Sequence, residues 1–254
     1  MKGVIFMDVS AMVQGLNIID IVILAILLLS LVSGMYKGFL ASFLATLGFA
    51  GAAVGAYLLC PKLANLFQSN NGLMNSLSYY IGADELLSKL ADSPVTQAVQ
   101  DSTLLSSATA SLTTLPNAIV TAFRDNVVNQ LFSTLNLSSL GDYLSQTVVV
   151  SLVYVISFLL LFAACYILAL LVVNLFNNIF HFPLLRRFDW LLGGLFGLAR
   201  GAFITILVLT VIPMLLSLMD LNILDDLIAS SKFAAYFMND NVLKGIISLG
   251  FAAK

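Results

Sequence analysis

Two charged residues stand inside long apolar runs of this chain, and they are the first candidates for chemistry. Asp20 lies in the run Ile18 to Ser33, and Arg200 in the run from Trp190 to about Leu216. A charge within the hydrocarbon of a bilayer costs at least a few kcal/mol, so each needs compensation or a use. Arg200 is about ten residues, or roughly 15 Å, into its run, while Asp20 is about fourteen residues, or roughly 21 Å, from Gly34 at the far end of its own. The two depths differ by about 6 Å, within reach of an arginine side chain on helical geometry. Two arrangements are open. In one, Asp20 and Arg200 form an intramembrane ion pair, which would suit an ion- or proton-coupled transporter or channel; in the other, Asp20 caps its helix and Arg200 snorkels.

Other chemistries find little to work with. The one histidine, His181, has no His or Glu at metalloprotease spacing, no Gly-x-Ser-x-Gly elbow is present, and no Gly-Asp pair within a span suggests an intramembrane aspartyl protease. The two cysteines, Cys60 and Cys165, belong near opposite ends of their spans, too far apart for a disulfide. With one His and two Cys, a Cys/His metal centre or a disulfide framework is excluded. No nucleotide-binding loop occurs either. The expectation is a protein that is not an enzyme and carries no metal or cofactor.

The elements that must position Asp20 and Arg200 are membrane spans. Of 254 residues, 60% are hydrophobic and 9% charged, far from the quarter charged of ordinary soluble domains, so a soluble enzyme is excluded. The 11 basic residues against 13 acidic ones leave a net charge of -2 and no basic surface for nucleic acid. About 17 to 25 apolar residues cross a bilayer core. Four runs qualify: Asn17 to Gly34, Phe39 to Cys60, Thr147 to Ile179, and Trp190 to about Leu216. The first is longer than a signal-peptide core, lacks an Ala-x-Ala-like cleavage site, and is followed directly by the second, so it is assigned as a span.

The predicted fold is all-α: four transmembrane helices as two antiparallel hairpins, with a helical extracytoplasmic insertion. Its segments are an N-terminal hairpin (1–61), a Ser/Thr/Asn-rich helical insertion (62–146), a C-terminal hairpin (147–219) and an amphipathic tail (220–254). The insertion carries Leu86, Leu87, Leu90, Leu104, Leu105, Leu112 and Leu115 at near-helical spacings, punctuated by Pro94 and Pro116. Its helices either pack together or lie on the membrane surface. The third run exceeds the hydrocarbon thickness and is expected to tilt or to project beyond one face, at its Asn174, Asn177, Asn178 end.

Glycines mark helix contacts. Gly193, Gly197 and Gly201 recur every four residues around Arg200, and Ala41, Ala45, Gly48, Ala52 and Gly55 do the same in the second span, giving small faces for close helix approach. Gly51 and Gly194 are placed either to widen these faces or to loosen the helices. The two short turns hold Lys37 with Gly38, and Arg186, Arg187 with Asp189. This concentration of basic residues places the turns in the cytoplasm and the termini and insertion outside.

Three motifs resemble a known family. Asn17-Ile18-Ile19-Asp20 leads into the first span, Tyr36-Lys37-Gly38-Phe39 forms the turn, and Asp189-Trp190-Leu191-Leu192-Gly193-Gly194-Leu195-Phe196-Gly197-Leu198-Ala199-Arg200-Gly201 opens the fourth span. Together they look like the colicin V production protein family of bacterial inner-membrane proteins, over residues 16–60 and about 147–235. Ser230-Ser231-Lys232 is a fainter echo of a serine in the family's tail. Trp190 stands where members often carry a basic residue, Ala41-Ser42 where charges often follow the turn, and the segment between spans two and three is longer than in compact members. The resemblance implies a multi-pass inner-membrane protein, not an enzyme, that supports toxin production or export. The expected setting is the lipid bilayer, as a homo-oligomer or a subunit of a membrane complex, with a part in envelope homeostasis.

Overall fold

The computed structural model describes residues 16–81, 83–179, 188–217, 223–238 and 240–251. The chain is all-α, and no strand occurs among the described residues. In order come α1 (Ile18–Lys37), α2 (Phe39–Gln68), α3 (Asn71–Ile81), a 3-10 stretch (Ala83–Leu90), α4 (Val95–Gln100), α5 (Ser102–Ser111), α6 (Asn117–Val128), α7 (Leu140–Ile179), α8 (Asp189–Ser217), α9 (Ile223–Ala229), α10 (Ala234–Phe237) and α11 (Asp240–Ser248). Four of them, α1, α2, α7 and α8, are long and apolar enough to cross a membrane.

These elements gather into two compact units. The first takes the chain up to Phe43, Pro183–Leu209 and Asn222–Met238. In it α1 buries one narrow face, Asp20, Ile23, Ser30 and Gly34, while Val22, Leu28, Leu29 and Val32 face outward. Such outward apolar side chains are what a bilayer solvates. Ile23 packs with Leu209 of α8 and Ala234 of α10, and Leu27, Ile228 and Phe233 close around them.

The second unit takes Leu44–Phe182, Thr210–Leu221 and Asn239–Lys254. Its axis is α7, 40 residues long. At 1.5 Å per residue that is about 60 Å, twice the hydrocarbon thickness. The helix starts at Leu140, seven residues before Thr147, where the Ser139 hydroxyl accepts the Asp142 N–H at 3.1 Å. Its first half is enclosed in protein at Tyr143, Leu144, Thr147, Val148, Ser151 and Val155, and only from Leu160 onward do Ile167, Leu168, Leu171 and Leu175 turn outward.

What encloses that first half is the insertion, with α3, the 3-10 stretch and α6, together with α11, all packed on α7. The insertion helices therefore pack as a body rather than lying singly on a membrane surface. The Asn126 amide nitrogen donates to Thr147 Oγ1 at 2.9 Å, and that hydroxyl donates to the Tyr143 carbonyl at 2.7 Å, so a chain of two buried hydrogen bonds links α6 to α7. On the exposed side Asp101 caps α5, accepting Thr103 Oγ1 at 2.5 Å and Thr103 N at 2.9 Å, which holds its carboxyl below the usual carboxylate range.

The compact units cut across the four segments expected from the sequence. α2 continues seven residues past Pro61, to Gln68, although proline lacks the N–H its turn would use. The tail divides as well: α9 and α10 belong to the first unit and α11 to the second.

Candidate functional site

The intramembrane polar groups of the first unit lie along the crossing of α1 and α8, and that crossing is made of backbone. A Cβ added at Gly34 would collide with the Gly193 carbonyl and sit 2.8 Å from Gly197 Cα. One added at Gly197 would meet Gly34 Cα at 2.9 Å, and one at Gly201 would meet Ser30 Cβ at 2.7 Å. Rising numbers in α8 thus meet falling numbers in α1, so the helices are antiparallel, with main chain on main chain over two turns. In the second unit a Cβ added at Gly48 would stand 3.1 Å from Ala169 Cβ, whereas one at Gly55 would keep an ordinary 3.6 Å to Cys165 Sγ, and Gly51 faces open space.

At one end of the crossing, the turn between α1 and α2 is a single glycine. Gly38 has φ +79°, a conformation that favours glycine, and a Cβ there would strike the Asp189 carboxylate. Gly38 offers α2 no capping side chain, and Asp189 supplies the cap from elsewhere in the chain: its Oδ1 accepts the Phe39 N–H at 2.9 Å. One carboxylate thereby sits at the first turn of its own helix α8 and on the N-terminus of α2, both positive ends of helix dipoles. Ser42 reinforces the turn by donating to the Gly34 carbonyl at 3.0 Å. Phe39, Phe43 and Phe196 pack edge and face around it, with centroids 5.2–5.8 Å apart. Lys37 is exposed; Arg186 and Arg187, like His181, lie outside the described residues.

We expect Asp189→Ala to lower the thermal unfolding midpoint in detergent, by the equivalent of about 1 kcal/mol for a lost helix cap. Asp189→Asn keeps an acceptor oxygen and should lose less. Equal losses in the two variants would mean that charge, not capping, is what Asp189 contributes.

At the other end, Asp20 is fully buried. Its Oδ1 accepts Ser231 Oγ at 2.6 Å and Phe233 N at 3.0 Å, and its Oδ2 accepts Asn17 N at 3.0 Å and Lys232 N at 3.3 Å. A carboxylate has about four acceptor positions, and here all have donors. Ser231 Oγ in turn accepts Ala234 N at 3.0 Å, and the Asn17 amide donates to Ser230 Oγ at 2.8 Å and to the Leu227 carbonyl. Asp20 is the centre of a clasp that ties the start of α1 to the segment joining α9 and α10.

The expected ion pair between Asp20 and Arg200 is not formed among the described residues. The register explains why. Gly201 faces Ser30, so Arg200 lies about ten residues, roughly 15 Å, along α1 from Asp20. The depths inferred from sequence require the two spans to begin level, whereas α8 meets α1 with Gly193 already against Gly34. Arg200 is buried, 8% exposed, and has no hydrogen-bond or ion-pair partner among the described residues.

Three participants stand outside the residues singled out by sequence: Ser30, Gly34 and Ser42. Ser30, Gly34 and Gly38 recur every four residues, the same small-residue spacing as in α8, and that signal was available. Ser231 stood in sequence only as an echo of a serine in the family's tail, and nothing local points to its partner, which is 211 residues away. Among the described residues no three His, Cys, Asp or Glu side chains gather where a metal could be held.

Four membrane-capable helices, with the carboxylates of Asp20 and Asp189 used to join helices, define a multi-pass α-helical membrane protein. The family described as colicin V production protein matches residues 19–136 and 118–242. The chain belongs to the colicin V production protein family, which is not a known enzyme family. No curated protein and no solved structure matches it.

Proposed function

We propose that this protein is a non-enzymatic component of the bacterial inner membrane that supports the production or export of a colicin V-like toxin and envelope homeostasis, as a homo-oligomer or a subunit of a larger membrane complex. The observation that carries this reading is how the carboxylates in and beside its spans are used: Asp20 serves four protein donors and Asp189, at the turn, a helix end, so both hold helices together and neither is left for proton transfer. The outward apolar stretch of α7, with Ile167, Leu168 and Leu171, provides area for a neighbouring helix. In the proposed orientation the turns at Lys37 and at Arg186, Arg187 are cytoplasmic, and the insertion and both termini are outside.

A second reading, an ion-coupled transporter or channel, is favoured by one observation: Arg200 is buried and has no ion-pair partner among the described residues. Deleting the gene in a toxin-secreting host separates the two. On the first reading, extracellular toxin falls and detergent sensitivity rises, and Arg200→Gln restores both if it folds. On the second, purified protein in vesicles conducts ions and Arg200→Gln abolishes the flux. Orientation is tested with Ser106→Cys and Tyr36→Cys, both exposed positions, in a chain carrying Cys60→Ala and Cys165→Ala. An impermeant thiol reagent should label position 106 and spare position 36 in intact cells. The opposite pattern inverts the topology.

A further inference from the structure

The second unit contains a cavity of about 360 Å³ between α6 and α11, within the range of small-molecule sites, roughly 300–1,000 Å³. Its origin is visible in the residue sizes. Ala118, Ala122 and Ser248 line it with little side chain, while Leu131, Ile247 and Phe251 supply an apolar surface. The face of α6 turned to it runs 118, 121, 122, 125, 126, and that of α11 runs 244, 247, 248, both at helical three-and-four spacing, so a single stripe of each helix makes the wall.

Asn129 and Lys244 bring donors to this wall, and its other polar groups are left to accept. The Thr121 hydroxyl proton is committed to the Asn117 carbonyl at 2.7 Å and that of Ser248 to the Gly245 carbonyl at 3.0 Å, which leaves their lone pairs for the cavity. Asn126 is 3% exposed, and its amide nitrogen is engaged by Thr147. Its side-chain oxygen Oδ1 has no donor among the described residues and is not sealed off, while its main-chain carbonyl accepts the Leu131 N–H at 3.0 Å. Asp125 adds a carboxylate, and neither it nor Lys244 on the opposite helix has an ion-pair partner among the described residues. Acceptors beside a carboxylate suit an ammonium group, which offers three N–H donors and a positive charge; the Lys244 ammonium suits a carboxylate; and the remaining wall suits a hydrocarbon side chain.

We infer that this cavity binds a small zwitterion with an apolar side chain, of the chemical class of a free aliphatic or aromatic α-amino acid. Asp125 and Asn126 Oδ1 hold the ammonium, Lys244 holds the carboxylate, and Leu131, Ile247 and Phe251 cover the side chain. The inference stands on the insertion and α11 alone and is independent of the role proposed for the protein as a whole.

The full chain in mild detergent is titrated calorimetrically with L-leucine, 3-methylbutylamine and 4-methylpentanoate, which share a branched hydrocarbon and differ in charge. Leucine should bind best, the amine more weakly and the acid not measurably. Asp125→Asn should weaken leucine and the amine at least about tenfold, the scale of one charge-assisted hydrogen bond. Lys244→Gln should weaken leucine alone. Both positions are exposed, and unchanged melting curves certify the fold of each variant. The inference is overturned if leucine does not bind, if the acid binds as well as leucine, or if Asp125→Asn leaves leucine binding unaltered.

Discussion

Gly34→Ala should leave little folded protein in the membrane. The new methyl group meets main-chain atoms of Gly193 and Gly197, and neither can rotate away as a side chain would. Overpacking of a yielding core costs about 1–3 kcal/mol, and a backbone collision on both helices lies at or above the top of that range. Two other glycines within the spans calibrate the effect. At Gly194 of α8 the nearest atom to an added Cβ is Met35 Cγ at 2.8 Å, the flexible end of a side chain, so alanine there should cost less. At Gly51 of α2 nothing lies within 4 Å, and alanine should be neutral or stabilising, by up to about 1 kcal/mol through reduced freedom of the unfolded chain. Expression and thermal unfolding, followed by size-exclusion profile in detergent, should rank Gly34→Ala far below Gly194→Ala in stability, with Gly51→Ala the mildest. If all three melt together, α1 and α8 do not touch through their backbones.

Asp20→Ala should be the most damaging single change outside the glycines. It strands two main-chain N–H groups in the 231–233 segment, one at Asn17 and the Ser231 hydroxyl, and a hydrogen bond to a charged group is worth about 1.5–3 kcal/mol. Even with partial rearrangement the loss should reach about 3 kcal/mol. The partner assignment is tested by double-mutant cycles. Asp20→Asn combined with Ser231→Ala should show a coupling of about 1 kcal/mol or more, whereas Asp20→Asn combined with Arg200→Gln should be additive within about 0.5 kcal/mol, as for sites without shared partners. Limited proteolysis should also find new cleavage between α9 and α10 in Asp20→Ala, since the clasp holds that segment to α1. Coupling to Arg200 with none to Ser231 would refute the clasp.

Local pattern was enough for the four spans, because in a bilayer a helix must satisfy its own backbone and expose apolar side chains, and both demands are written in consecutive residues. The glycine spacing of α8 was legible for the same reason: a stripe every four residues lies on one face of one helix. The family followed from motifs that are also local, at Asn17 to Asp20, Tyr36 to Phe39 and Asp189 to Gly201. The start of α7 at Leu140 was written in Ser139 and Asp142, but the Ser-rich composition around them concealed it.

What the tertiary structure alone decided is register and partnership. Whether Asp20 meets Arg200 depends on how far α8 slides along α1. A shift of a few residues moves a side chain by several ångströms without changing the apolar pattern of either helix. Backbone contact of Gly34 with Gly193 sets that slide, and it leaves Asp20 facing Ser231, Lys232 and Phe233. Those donors are mostly main-chain N–H groups, which every residue but proline carries, so no residue type announces them. The wall between α6 and α11 is of the same kind: Asp125 and Lys244 are ordinary surface charges in sequence, and only the packing of α11 against α6 places them around one cavity.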